Sequence, residues 1–248
     1  MNNVDEKRWV AVVCGAGPEV RAVAARMRRA TKSSLGLFVS YTGELGGAPC
    51  RLVLCGIGIA AAYAATKQVC HEFAPQLAIS FGVAGALDPT LKIGDVVIGG
   101  SAAHLELSAE EAVRISMSAE AEAPHSMELP HLPEAEQVTG DRVRAERIAS
   151  QLGVNVTRVL SANFVVSSDR MRDLLWRTYG FAIVDQESYG VLKAAKEEGI
   201  AGIVVRVISD HAGDHAESEC QQHARSVLYT GAEILERLLQ RLNELKSS

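Results

Sequence analysis

The sequence predicts an α/β fold on a largely parallel or mixed sheet. Short apolar runs rich in Val and Ile alternate with alanine- and leucine-rich segments of helical spacing. Small-residue turns sit where these runs meet. The chain has 248 residues, 48% of them hydrophobic, which is enough for one sizeable core. No Pro/Gly/Ser linker divides it, so one domain is expected over residues 8–246.

Trp9 to Cys14 is a short apolar run and the expected first strand. It breaks at Gly15-Ala16-Gly17-Pro18, and a helix is expected from Glu19 to about Met27. Glu19 at that junction has two readings. It can complement the helix dipole, or it can be a base held at the mouth of the sheet. Taken alone, the first is the commoner case. Leu37–Tyr41 and Arg51–Cys55 read as strands around a turn at 43–49. Gly56-Ile57-Gly58 opens a helix from Ile59 to about Phe73. Such a pair of glycines can cradle an anion, although tight turns produce it more often. Leu77–Phe81 is a further strand that runs into a small-residue turn, Gly82-Val83-Ala84-Gly85-Ala86. There a ligand can approach the backbone closely. Lys92–Ile98 feeds another buried strand.

From about 104 to 138 the periodicity fails amid glutamates and prolines. A long surface loop is expected, with a helical turn near 109–115, acting as an active-site lid or a mobile segment. Then come a helix over 141–152, a strand over 154–160, and Phe164 and Val165 in a connection. Ser168 is placed to cap a helix over 169–178. Ala182–Val184 is a short strand ending in Asp185-Gln186-Glu187-Ser188. The next helix buries Tyr189, Val191, Leu192, Ala194 and Ala195. Ile203 to Ile208 is a β-branched, buried strand that ends in Ser209-Asp210. Ligands in open α/β sheets bind at such carboxyl ends, which makes Asp210 the candidate general acid. A long amphipathic helix, 217–245, closes the chain.

Composition removes several functions. The formal charge is −5. The short basic cluster Arg26, Arg28, Arg29 and Lys32 is assigned to a helix end. Nucleic acid is therefore not an expected partner. No apolar run approaches membrane-spanning length, and the charged start lacks the layout of a signal peptide. Five cysteines without a Cys-x-x-Cys pair fit buried free thiols in a reducing cytoplasm.

Five patterns occur in a fixed order. They are Glu-Val at 19–20, Gly-Ile-Gly at 56–58, Gly-x-Ala-Gly-x-Leu-Asp-Pro-x-Leu-Lys-x-Gly-Asp-Val-Val from 82, Asp-x-Glu at 185–187, and Arg-x-Ile-Ser-Asp at 206–210. Together they resemble the purine nucleoside phosphorylase and 5′-methylthioadenosine/S-adenosylhomocysteine nucleosidase superfamily over roughly nine-tenths of the chain. The resemblance implies a single-domain phosphorylase-type α/β fold with a mixed, partly closed central sheet flanked by helices. It also implies a homodimer or larger homo-oligomer. By resemblance, Asp210 protonates purine N7, Glu187 holds the ribose hydroxyls, and Glu19 positions and deprotonates the attacking water. Phe164 stacks on the base and Val165 offers backbone to its edge. Ser209, Gln186, Val83, Ala84 and Gly85 complete the expected substrate-binding set. No cofactor and no metal are implied, and phosphate enters as co-substrate only in a phosphorylase. The division of labour is physically coherent. A glycosidic bond breaks with positive charge growing on the sugar, so an acid at the base and carboxylates at the sugar serve both needs.

Three positions depart from the family pattern. Gln186 replaces a methionine and Val83 stands where a serine is common. Ser80 stands where the hexameric phosphorylases carry a phosphate-binding arginine. The last two changes, with Glu19 kept, favour water over phosphate, although Arg51, Arg206 or an arginine from a partner subunit could supply an anion site. The wording at 80–85 and 184–188 also resembles a hopanoid-associated subgroup that acts on an adenosyl lipid. Two rivals stand beside the nucleosidase reading. One is a metal hydrolase using His211, His215, Asp214 and His223. The other is a non-catalytic nucleoside-binding protein, which would need neither Asp210 nor Glu19.

Overall fold

The computed structural model describes residues 9–117 and 137–247. These form ten strands and seven helices in the order β1 (Val10–Cys14), α1 (Gly17–Ala24), β2 (Arg28–Leu35), β3 (Phe38–Leu45), β4 (Ala48–Leu54), α2 (Ile59–Phe73), β5 (Leu77–Ala86), β6 (Val96–Leu105), α3 (Ala109–Met117), β7 (Gln137–Thr139), α4 (Arg142–Leu152), β8 (Asn155–Ala162), α5 (Asp169–Tyr179), β9 (Ile183–Asp185), α6 (Ser188–Glu197), β10 (Ala201–Asp210) and α7 (Ala216–Ser247).

One mixed sheet organises them, and β5 is its pivot. Along one edge β5 changes partner. Residues 77–80 pair in parallel with β1, and Gly85 and Ala86 pair antiparallel with β9. Its other edge runs parallel to β10. From β10 the sheet continues antiparallel to β6, then parallel to β8 and to β9, which returns to β5. The ring β5-β10-β6-β8-β9 is therefore closed, as the resemblance implied. The open remainder, β1-β4-β3-β2, extends from it. Helices cover both faces. The stripe Val227, Leu228, Leu235, Leu238, Leu239 and Leu242 of α7 is buried with Phe81, Val205 and Val207 of the sheet. Burying each such side chain contributes about 1.5–3 kcal/mol.

Several expectations need correction. Residues 28–35 are a strand, not a helix end, and Arg28, Arg29 and Lys32 are exposed on it. Cross-strand pairing with β3, rather than apolar patterning, holds that segment in β form. The chain turns at Gly46 and Gly47, both at positive φ, so β3 and β4 reach further into 43–49 than expected. Residues 82–86 continue β5 and are not a turn. The expected loop over 104–138 begins and ends in ordered structure, with α3 at one end and β7 paired to β6 at the other. Its centre, 118–136, lies outside the described residues, and the expected lid falls there.

Candidate active site

The functional side chains gather where β5, β9 and β10 end and α1 and α6 begin. Each is positioned by local backbone. Glu19 lies in the first turn of α1, where its Oε2 accepts the Ala16 N–H at 2.9 Å. That is the dipole-complementing contact expected of a first-turn acid. Its Oε1 accepts the Val83 N–H at 3.0 Å, in the stretch of β5 between its β1 and β9 pairings. Glu19 therefore caps a helix and at the same time faces the end of the sheet. Burial raises its pKa, against the lowering influence of Arg206 and of the backbone donors.

Glu187 stands just before α6, and its Oε1 accepts the Gly58 N–H at 3.1 Å. The anion on the Gly-x-Gly turn is thus the protein's own carboxylate. Burial pushes Glu187 up to about 7; Arg206 pulls the other way, and Asp185 and Glu19 add to the rise. Asp185 and Glu187 share the fully buried Arg206. Arg206 Nε donates to Asp185 Oδ2 at 2.7 Å, and Nη2 donates to Ser80 Oγ at 3.0 Å and Glu187 Oε2 at 3.4 Å. Burial opposes the arginine's charge, but Asp185, Glu187 and Glu19 outweigh it and raise its pKa. Ser161 Oγ donates to Asp185 Oδ1 at 2.5 Å, and Ser188 Oγ is bonded to Asp185 Oδ2. Arg206 Nη1, fully buried, has no hydrogen-bond partner among the described residues.

Asp210 ends β10. Ser209 Oγ donates to its Oδ2 at 2.7 Å, and the Ala212 N–H donates to its Oδ1 at 3.0 Å. Burial raises its pKa, which the two donors partly oppose.

Three glycines make room for the three acids. A Cβ on Gly15 would stand 2.8 Å from Glu187 Oε1, and one on Gly85 would stand 2.8 Å from Asp210 Oδ1. A Cβ on Gly82 would meet Glu19 Oε1 at 2.2 Å and Arg206 Nη1 at 2.3 Å. No side chain fits at these positions without moving the acid.

A cavity of about 1010 Å³ opens over this floor. All ten residues singled out from the sequence line it: Glu19, Val83, Ala84, Gly85, Phe164, Val165, Gln186, Glu187, Ser209 and Asp210. Phe164 is half-buried and Val165 is exposed. Sequence reasoning gave Asp185 and Gly15 no role, and read Gly82 as room for a ligand rather than for Glu19 and Arg206. It offered Arg206 as an anion-site candidate and missed its carboxylates. An arginine inside a run of β-branched residues was the available signal, because a buried charge demands partners. Neither anion-site candidate, Arg51 or Arg206, lines the cavity. Ser80 is fully buried under Arg206. Arg51 is bonded to Thr42 and Ser34 and lies 4.6 Å over the Phe73 ring. Among the described residues, no group of three or more His, Cys, Asp or Glu side chains converges as a metal site. His211 Nδ1 is engaged by Glu219 at 3.0 Å. The described cysteines are all free, and four are buried. No described helix is long and apolar enough to cross a membrane.

The Phosphorylase superfamily model matches residues 10–243. A 5′-methylthioadenosine/S-adenosylhomocysteine nucleosidase of Pseudoalteromonas translucida is 38% identical over 95 residues, covering 38% of this chain and 40% of that protein. A nucleosidase of the same name from Shewanella baltica (strain OS195) is 25% identical, covering 94% of this chain and 97% of its own. The crystal structure of the Neisseria meningitidis nucleosidase in complex with methylthio-immucillin-A superposes with a TM-score of 0.77 at 25% identity, covering 94% of this chain and 99% of that one. The fold is also that of Helicobacter pylori futalosine hydrolase, with a TM-score of 0.79 at 18% identity, covering 95% and 98%.

Proposed function

The chain belongs to the phosphorylase superfamily, and on that premise we propose that it hydrolyses the N-glycosidic bond of an adenine nucleoside and releases adenine. The observation that carries this reading is the convergence of Glu19, Glu187 and Asp210 on one cavity, each with its pKa raised. Asp210, whose pKa burial raises, donates its proton to N7 as the glycosidic electron pair moves onto the base. Water adds to C1′ and Glu19 takes its proton. Glu187 accepts hydrogen bonds from the ribose hydroxyls. Phe164 stacks on the base and Val165 offers backbone to its edge. Arg206 touches no substrate in this scheme; it positions Asp185 and Glu187.

Water is favoured over phosphate for a reason of charge. One buried arginine faces Asp185, Glu187 and Glu19, so a dianion there meets surplus negative charge. Arg206 Nη1 lacks a partner among the described residues. Both it and Glu19 Oε1 lie within 2.3 Å of the point where a Gly82 Cβ would stand. The relatives that match along their length are named as nucleosidases, which agrees.

The test is incubation with 5′-methylthioadenosine, S-adenosylhomocysteine, adenosine and inosine, with and without phosphate, with detection of free base. Adenine released without phosphate is the expected outcome. Release that requires phosphate would make the chain a phosphorylase. Tight binding without release would make it a nucleoside-binding protein.

A further inference from the structure

We propose that Glu219 is a positioning residue for Asp210: by holding His211 it keeps the backbone of Ala212 in the conformation that places its N–H on Asp210 Oδ1. This rests on the adenine-nucleoside reading, in which Asp210 is the acid, and adds the group that aims it.

The first argument is the kind of donor. Two groups bond the Asp210 carboxyl, the Ser209 hydroxyl at Oδ2 and the Ala212 N–H at Oδ1. A hydroxyl rotates and can give or take a proton, whereas a backbone N–H points one way and only donates. The Ala212 N–H is therefore the contact that fixes the carboxyl plane. Proton transfer to a bound base tolerates little error in that plane.

The second argument is that Ala212 is held against its preference. Its φ of 49° lies in the left-handed region that a side chain disfavours, and the residue is fully buried. A Cβ on Gly85 would stand 3.0 Å from the Ala212 Cβ, so β5 packs closely beneath it. Such a conformation persists where its neighbours over-determine it. On the far side, the Asp214 N–H donates to Asp169 Oδ1 at 3.4 Å and the Asp169 N–H donates to Asp214 Oδ1 at 3.1 Å. On the near side, Glu219 takes the His211 N–H at 2.9 Å and engages its Nδ1 at 3.0 Å.

The third argument is that Glu219 serves something other than its own helix. It lies in the first turn of α7 beside Glu217, where acids commonly face the free N–H groups of that turn. Its carboxylate instead reaches His211, five positions before α7 begins. Burial opposes its charge, but the His211 N–H and ring outweigh burial and lower its pKa. It is therefore an ionised, accept-only partner at neutral pH. Its charge also adds to the rise in the Asp210 pKa, and the experiment separates placement from charge.

Glu219→Ala and Glu219→Gln are made in the parent and in the Asp210→Asn chain, and adenine release from 5′-methylthioadenosine is measured. Amide hydrogen exchange at Ala212 is followed alongside. Glu219→Ala should lower kcat about ten- to a hundredfold with KM within about threefold. Its Ala212 amide should exchange about tenfold faster or more. Glu219→Gln keeps an acceptor oxygen and should retain kcat within about threefold. In the slower Asp210→Asn chain, Glu219→Ala should matter less than about twofold, because the group it aims is gone. Glu219 is partly exposed, so folding should persist, as a thermal melt would show. A Gln variant as slow as the Ala variant would make charge the cause and overturn the proposal, and it does so even if the Ala chain folds poorly. Equal losses with and without Asp210, or a loss carried by KM alone, would also overturn it. So would an Ala212 amide whose exchange Glu219→Ala leaves unchanged. A parent that releases adenine while Glu219→Ala does so equally well sinks the positioning role alone. A parent that releases no base sinks the cleavage reading and the aiming of its acid together.

Discussion

The two ends of the cavity are built on opposite principles. At the sheet end Glu19, Glu187 and Asp210 are each nine-tenths or more buried. Each is lodged against a glycine and held by a backbone N–H. At the helix end Arg21 and Arg225 are exposed and make no ion pair with the described residues. The buried end carries a standing electrostatic cost, because desolvation disfavours every carboxylate there. That cost raises the Asp210 carboxyl above the usual carboxylate range and leaves Glu19 more basic than a solvated glutamate. The exposed end carries almost no such cost and can be altered without disturbing the fold. The proposed chemistry thus sits where the structure is over-determined.

The contrast can be broken at several points. The largest effect should come from Asp210→Asn or Glu19→Gln. Each should lower adenine release about 10²–10⁴-fold while circular dichroism and the melting temperature stay near those of the parent. Wild-type-like turnover in either variant would remove that residue from the proposed chemistry. Arg206→Met should cost about 3–5 kcal/mol in urea unfolding, since it strands Asp185 and Glu187 without their cation. A loss below 1 kcal/mol would mean that the buried network is not structural.

Gly82→Ala should cost less in stability, about 1–3 kcal/mol. It should still lower turnover sharply, because its Cβ would displace Glu19 and Arg206. Normal turnover would show that neither group needs its present place.

The pH profile of kcat/KM should be bell-shaped. The acid limb reports protonation of Glu19 and the alkaline limb reports loss of the Asp210 proton, both above ordinary carboxylate values. Stability carries the matching signature. Glu187 titrates at about 7 in the folded chain, above its unfolded value. Between those two values the folded chain holds a proton that the unfolded chain has released, so stability falls as pH rises through the window. Glu187→Gln should flatten the slope by up to about 1.4 kcal/mol per pH unit. An unchanged slope would locate the linkage elsewhere. The smallest effect belongs to the exposed rim. Val165→Ala should change stability by about 0.5 kcal/mol or less, as a thermal melt would show.

The elements visible in the sequence were those with one buried face. The helices over 59–73 and 142–152, the stripe of α7 and the strand 201–210 follow from apolar periodicity, which tertiary packing reinforces. β2 was invisible for the converse reason. Its residues 28–34 are all exposed, so no alternation marks them, and only pairing with β3 keeps them extended. The turn assigned to 82–86 erred because glycine there serves close approach rather than chain reversal. Gly82 and Gly85 sit in a strand with carboxylates pressed against them.

By itself the amino-acid order determined which chemical groups stand at the ends of apolar runs, since periodicity and its interruption are local properties. It thereby supplied the acids, the aromatic and the small residues of the cavity. Only the tertiary structure decided how those groups are charged and held. The partner change of β5, the burial of Arg206 beneath three carboxylates and the capture of Glu187 by the Gly58 N–H join residues far apart in the chain. Charge in a protein depends on what surrounds it in space, and that surrounding exists only once the sheet has closed.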